Sequence, residues 1–298
     1  KLLPDATAAT GAKARAGSKA KGKSKDDGAS DSVAPRPELE TRMLDAICDV
    51  EWGDGLAGNI RRLLWVGTQV RERFSLDNWH ALNRLQQQLQ RYSKVRPEIS
   101  DALAFLDQML LASSSLAGFA MDNMTRDDGW RFLLIGRRIE RLIFLSSAIS
   151  QFLRLESTRA SGSIEWLLEL TDSIITYRSR YMAQPELLPA LDLIVFDAAN
   201  PHAVVFQLQN LVRYLARLAR ELGDPDDHSL HPAFARLQAF DLGGFEDLNF
   251  SECRDCEPCL ALADILDEIS HASAALSDRL AMRYFTHVGD VGRQTLAA

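Results

Sequence analysis

Arg137, Glu140 and Arg141 stand three and four residues apart in a stretch that is otherwise rich in apolar residues. At about 100° per residue, Phe132, Ile135, Ile139, Leu142 and Ile143 fill one face of a helix. Trp130, Leu133, Leu134, Phe144 and Leu145 fill the opposite face, and the three charged residues fall inside that second face. Apolar on two sides, the helix is expected to be central, with Glu140 and Arg141 in the bundle interior. A buried charge costs several kcal/mol unless paired, and an i,i+3 pair of Arg137 with Glu140 satisfies only part of the set. Arg131 and Arg138 lie on the narrow edge between the faces, where they reach water. Two chemistries follow. One is a Glu-Arg network that sets helix register. The other makes Glu140 an acid or base, with Arg137, Arg141, Arg178 and Arg180 as guanidinium forks around a carboxylate or phosphate. Tyr177 and Tyr181 would then be hydroxyl donors. Tyr177 through Tyr181 reads equally well as a helix end with snorkelling arginines.

Other constellations are weaker. Asp192, Asp197 and Asn200 offer oxygen ligands for Mg²⁺. However, Asp192 and Asp197 do not align on one helix face, and Asn200 before Pro201 reads better as a helix cap. Cys253, Cys256 and Cys259 open like an iron–sulfur motif whose fourth cysteine is absent. His228 and His231 could complete a zinc site, whereas three thiols packed as small hydrophobes at a helix start is the simpler expectation, so no metal is assigned. The sequence contains no Gly-rich phosphate loop, nucleophile elbow or His-Glu-x-x-His, so no cofactor is assigned to this chain.

The elements that must hold these residues read as helices nearly throughout. Ile60, Leu63, Leu64 and Val70 share one face, and Leu76, Trp79, Leu82, Leu85 and Leu89 recur at helical spacing, as do Leu103, Leu106, Leu110, Leu116 and Ala120. Thr125-x-x-Asp128 has capping-box form and places a helix start just before Trp130. Asn200-Pro201 marks another start, with Leu222-Gly223 as its stop. A last helix is expected from about Pro258 to Phe285. No segment combines period-two alternation with a hairpin turn, and Leu193-Ile194-Val195-Phe196 is short and lies in a helical context. The expected fold is an all-α multi-helix bundle over residues 39–288, after a flexible basic linker at 1–38 and before a flexible tail at 289–298. Loops are expected near 93–99, 122–126, 157–163, 183–186, 198–200 and 223–252.

The chain has 298 residues, 46% of them hydrophobic and 25% charged, which is ordinary globular composition. Seven Lys/Arg against Asp5, Asp26 and Asp27 give the first 28 residues a balance of +4, so the formal −7 of the whole leaves −11 for the remainder. So acidic a domain is not expected to bind nucleic acid, because phosphate neutralisation needs clustered cations. No run of eighteen apolar residues occurs, so no membrane span is expected, and with four cysteines the expectation is a reducing, cytoplasmic setting.

Several stretches carry a resemblance. They are Asn123-Met124-Thr125-Arg126-Asp127-Asp128-Gly129-Trp130, Gly136-Arg137-Arg138-Ile139-Glu140-Arg141, Tyr177-Arg178-Ser179-Arg180-Tyr181, Asp197-Ala198-Ala199-Asn200-Pro201 and Arg283-Tyr284-Phe285. Together they are similar to the alpha-E family, a helical domain named for its Glu-Arg motif, over residues 40 to 288. Family members open with a first helix bearing Tyr-Trp and Gly-Arg-Tyr-x-Glu-Arg text. No such helix stands here, since Arg71-Glu72-Arg73 lacks the preceding Gly-Arg and the aromatic pair. A start downstream of that motif, inside a linker of a larger protein, accounts for the difference. The resemblance implies a bacterial setting beside circularly permuted ATP-grasp ligase-like domains, and hence a peptide- or amide-forming system. In that setting an ATP-grasp domain would be the partner and this domain an accessory or substrate-presenting module. The alternatives are an enzyme in its own right or a purely structural bundle. Glu140 is the candidate catalytic residue, with Arg137, Arg141, Tyr177, Arg178 and Arg180 around an anion and Trp130, Asp192 and Asn200 in support.

Overall fold

The computed structural model describes residues 38–53, 55–92, 98–246, 248–250 and 256–285, and every regular element among them is helical. The expected linker at 1–38, Glu38 excepted, and the expected tail at 289–298 lie outside the described residues. The described residues fall into two compact units, those up to residue 68 with those in 85–109, and those in 69–84 with those from 110 on.

The first unit holds α1 (Glu38–Cys48), most of α2 (Leu56–Gln69), the second half of α3 (Leu76–Tyr92) and the first half of α4 (Ile99–Asp122). Leu44, Cys48, Ile60, Leu85, Leu89, Phe105 and Met109 are among its buried side chains, and Tyr92 packs its ring 4.8 Å from that of Phe105. Of the residues expected on one apolar face, Ile60 is buried with Ala57, Gly58 and Gly67 on the side that α2 buries, whereas Leu63 is exposed and Val70, just past the end of α2, is exposed too. By length and composition α4 could cross a membrane, with mean hydropathy 1.3 and only 17% of that window buried. Asp107 and Ser113 to Ser115 in its middle are groups that are costly in hydrocarbon.

The second unit is built on α5 (Asp128–Arg154), which packs along both α9 (Val204–Leu222) and α11 (Glu257–Tyr284), as its two apolar faces require. Around this trio lie α6 (Ser163–Leu170), α7 (Ile174–Tyr181), α8 (Leu187–Leu191) and α10 (His231–Gln238). Leu193, Ile194 and Val195, in a single π-helical turn over Asp192–Phe196, are fully buried among them. α9 ends as expected at Gly223, whose φ of +70° closes the helix with an N–H to the Ala219 carbonyl. Its start differs. Asn200 and Pro201 form a turn in which the Asn200 side-chain oxygen accepts from the His202 N–H, and α9 begins only at Val204. The stretch 223–252, expected as loop, contains α10, whose eight residues bury only Ala233 and Leu237, too few for a clear period.

Buried or hydrogen-bonded carboxylates tie these helices together. Burial alone would raise Asp197 and Asp227. The Ala199 N–H and Arg180 outweigh it at Asp197, and the Ser229 hydroxyl and N–H with Arg279 do so at Asp227, so both sit below the usual carboxylate value of 3.8. A depressed folded value contributes stability that is present above the unfolded value and lost as pH falls through the folded one. The expected melting temperature is therefore insensitive to these groups from neutral pH down to about 4 and declines below it, less steeply in Arg180→Ala. A melting temperature flat to the lowest accessible pH would contradict the assignment.

Candidate functional site

The helix that carries the motif starts where the sequence places it, but its cap is Asp127 rather than Thr125. The Asp127 carboxylate accepts from the Trp130 N–H at 3.1 Å and from Arg73 at 2.5 Å. Ile135, Ile139, Leu142, Leu145 and Ile149 of α5 are buried. The arc with Arg137, Glu140 and Arg141 is not covered by another helix. Leu133 and Phe144 on that arc are 37% and 40% exposed, and all three charged residues are exposed. The expectation of an interior Glu140 and Arg141 is thus corrected: they stand on the wall of an open cavity of about 720 Å³, within the size range of small-molecule sites. The edge residues behave oppositely. Arg131 is nearly buried between Asp128 and Glu221, and Arg138 donates to Gln207 at 2.8 Å beneath the rings of Phe206 and Tyr214. A helical wheel orders side chains around an axis but does not say which arc a neighbour covers, and here α9 covers the edge.

Gly136 opens the cavity floor, since a Cβ there would meet nothing within 4 Å. The far wall comes from Leu170, Thr171 and Asp172, at the break between α6 and α7, and from His202. Asp172 adopts φ +53°, and Thr171 turns its hydroxyl back to the Leu167 carbonyl at 2.9 Å, so it is already engaged. Asn200 is buried and donates to Ser173 and to the Leu193 carbonyl while accepting the His202 N–H, which fixes the turn that carries His202. Neither Asp172 nor His202 is a candidate by sequence. The Thr171-Asp172-Ser173 cluster is a turn signal that could have located one of them, while nothing local marks His202.

A guanidinium has only donors, so the 3.2 Å contact between Arg141 and His202 Nδ1 makes that nitrogen the acceptor. The ring proton then sits on Nε2, 3.6 Å from the Asp172 carboxylate. Burial and then Arg141 hold His202 below 6.5, so it is neutral at neutral pH and its contribution to stability is lost as pH falls below 6.5. Burial and then Arg137 lower Arg141 as well, with Asp172 opposing. Among the described residues neither Arg137 nor Glu140 has a hydrogen-bond or ion-pair partner.

The other residues expected around an anion lie elsewhere. Tyr177 is buried at 1% exposure, donating to the Gln184 carbonyl and accepting from the Glu186 N–H. Arg178 pairs with Glu165, Arg180 with Asp197 at 2.7 Å, and the Tyr181 hydroxyl donates to Asp192. With these protein partners Tyr177, Arg178 and Arg180 tie α6, α7 and the turn after α8 together, and none of the three lines the cavity that holds Arg137, Glu140 and Arg141. Trp130 lies outside the cavity, under the Arg126 guanidinium. Cys256 and Cys259, expected as thiols, are joined as a disulfide with Cα atoms 5.1 Å apart. The two cysteines start α11 three residues apart, which brings them to one side of its first turn. Cys253 lies outside the described residues.

Because Glu140 is exposed and unpaired, Glu140→Ala is expected to melt within about 0.5 kcal/mol of wild type, against roughly 3–5 kcal/mol for a partner of a buried pair. Gly136→Ala, in open space inside a helix, should stabilise by about 0.5–1 kcal/mol. Denaturant melts of both variants decide, and a loss beyond about 2 kcal/mol in Glu140→Ala would return that residue to the interior.

The comparisons with known proteins agree with the motif. Uncharacterized proteins of Mycobacterium bovis and of two Mycobacterium tuberculosis strains are each 27% identical over 164 residues, 52% of this chain and 18% of each relative. The match thus spans less than a fifth of those relatives' length. No solved structure matches. The Alpha-E family, described as a predicted alpha-helical domain with a conserved ER motif, matches residues 6–285, and with that span and the Glu140-Arg141 pair on its cavity wall the chain belongs to the Alpha-E family.

Proposed function

We propose that the chain is an accessory, substrate-presenting domain of a bacterial ATP-grasp-linked system that forms peptide or amide bonds, and that its cavity holds an anionic group of the substrate. The observation that carries this reading is the cavity wall itself. Arg137 stands there without a partner, and Arg141 is engaged only by a neutral histidine, which leaves two guanidiniums for one carboxylate or phosphate. Leu133, Phe144 and Leu170 beside them supply apolar contact. The Thr171 hydroxyl is committed to backbone, and the two guanidiniums are donors suited to holding and orienting an anion. The relatives' far greater length supports a role as one module of a larger machine.

The test joins the chain to its ATP-grasp partner and follows ATP-dependent product by mass spectrometry. Arg137→Ala and Arg141→Ala are expected to reduce product while ATP cleavage by the partner persists. Product unchanged when the chain is left out would overturn the proposal.

A second reading, an enzyme using Glu140 as acid or base, is favoured by the Glu140 carboxylate reaching the same cavity as the arginines. It requires turnover by the chain without the partner, with kcat lost and KM kept in Glu140→Gln.

A further inference from the structure

The arginines explain an anion, but they leave Glu140 without a use. It stands one helical turn from Arg137, on the same wall. Opposite charges at i,i+3 can pair along a helix, yet these two do not, and both are presented to the cavity. Asp172 adds a second, largely exposed carboxylate at the rim, 3.6 Å from His202 Nε2. A ligand bearing only negative charge would meet two guanidiniums and also two carboxylates, and the repulsion would offset much of the gain. A ligand with an anion and a cation a few bonds apart satisfies both sets at once.

We propose that the cavity binds the zwitterionic head of an apolar α-amino acid. Its carboxylate lies on Arg137 and Arg141, its ammonium on Glu140 and Asp172, and its side chain against Leu133, Phe144 and Leu170. The inference rests on the anion-holding reading above and adds the second charge. His202 belongs to the device. With Nδ1 accepting from Arg141, the neutral ring keeps that guanidinium in place without adding a positive charge near the ammonium. The side chain faces apolar carbon on two helices, α5 and α6, which suits an aliphatic or aromatic amino acid better than a polar one.

The probes are L-phenylalanine, N-acetyl-L-phenylalanine, which keeps only the carboxylate, and L-phenylalaninamide, which keeps only the ammonium. Binding to the full chain is read by calorimetry, with thermal melts confirming that each variant is folded. Phenylalanine should bind about tenfold or more tighter than either blocked form, the weight of one charged hydrogen bond. Glu140→Gln should weaken phenylalanine by a similar factor and leave N-acetylphenylalanine unchanged, while Arg137→Ala should weaken both. If N-acetylphenylalanine binds as tightly as phenylalanine and ignores Glu140→Gln, the zwitterion is wrong and the anion reading stands. If none of the three binds wild type at millimolar concentration, both are overturned.

Discussion

Tyr177→Ala is expected to destabilise the second unit by about 3–5 kcal/mol, the range of a large aromatic removed from a packed interior. The ring is buried and lies 4.8 Å from that of Tyr181, and its hydroxyl joins the Gln184 carbonyl to the Glu186 N–H, which ties the end of α7 to the start of α8. Tyr177→Phe keeps the ring but strands the Glu186 N–H, and should cost roughly 1–3 kcal/mol. A tyrosine serving a ligand would behave the other way, since Phe would leave stability alone and abolish binding. Urea melts of both variants separate the cases, and a Tyr177→Phe variant as stable as wild type would place the hydroxyl outside the network.

Removing Arg141 is expected to weaken anion binding in the cavity about tenfold or more, because a charge-assisted hydrogen bond is worth roughly 1.5–3 kcal/mol and each 1.4 kcal/mol is tenfold. Stability should change little, since the residue as a whole is exposed and its protein partner is a neutral imidazole. The same change carries a spectroscopic signature. Arg141 is the second cause, after burial, of the low pKa of His202, so Arg141→Ala should let His202 climb toward 6.5 in an NMR titration. An unmoved His202 would show that burial alone sets its value. Gly136→Trp provides a steric control, since a Cβ there meets nothing within 4 Å and a bulky ring on the cavity floor is expected to block ligand.

The all-α class, the central place of α5 and the C-terminal end of α9 were legible in the chain because they depend on local rules. Apolar residues at spacings of three and four make α9 and α11, Gly223 supplies the left-handed turn that ends α9, and the motif region starts a helix at the predicted place. Arg137, Glu140 and Arg141 share one arc, as their spacing of three and four requires. Their exposure was not legible. Trp130, Leu133, Leu134 and Phe144 make the arc look like core, but burial depends on whether another element lies over it, and α9 and α11 cover the other sides of α5. The rest of the site joins residues 30 to 65 positions apart. Asp172 comes from a turn between two short helices and His202 from a turn held by Asn200. No period or spacing links those turns to α5. The tyrosine and arginine cluster stands apart from that cavity for the same reason. Tyr177, Arg178 and Arg180 have the residue types of an anion site, but they engage Gln184, Glu186, Glu165 and Asp197, and only the packing of α6, α7 and the turn after α8 brings those partners within reach.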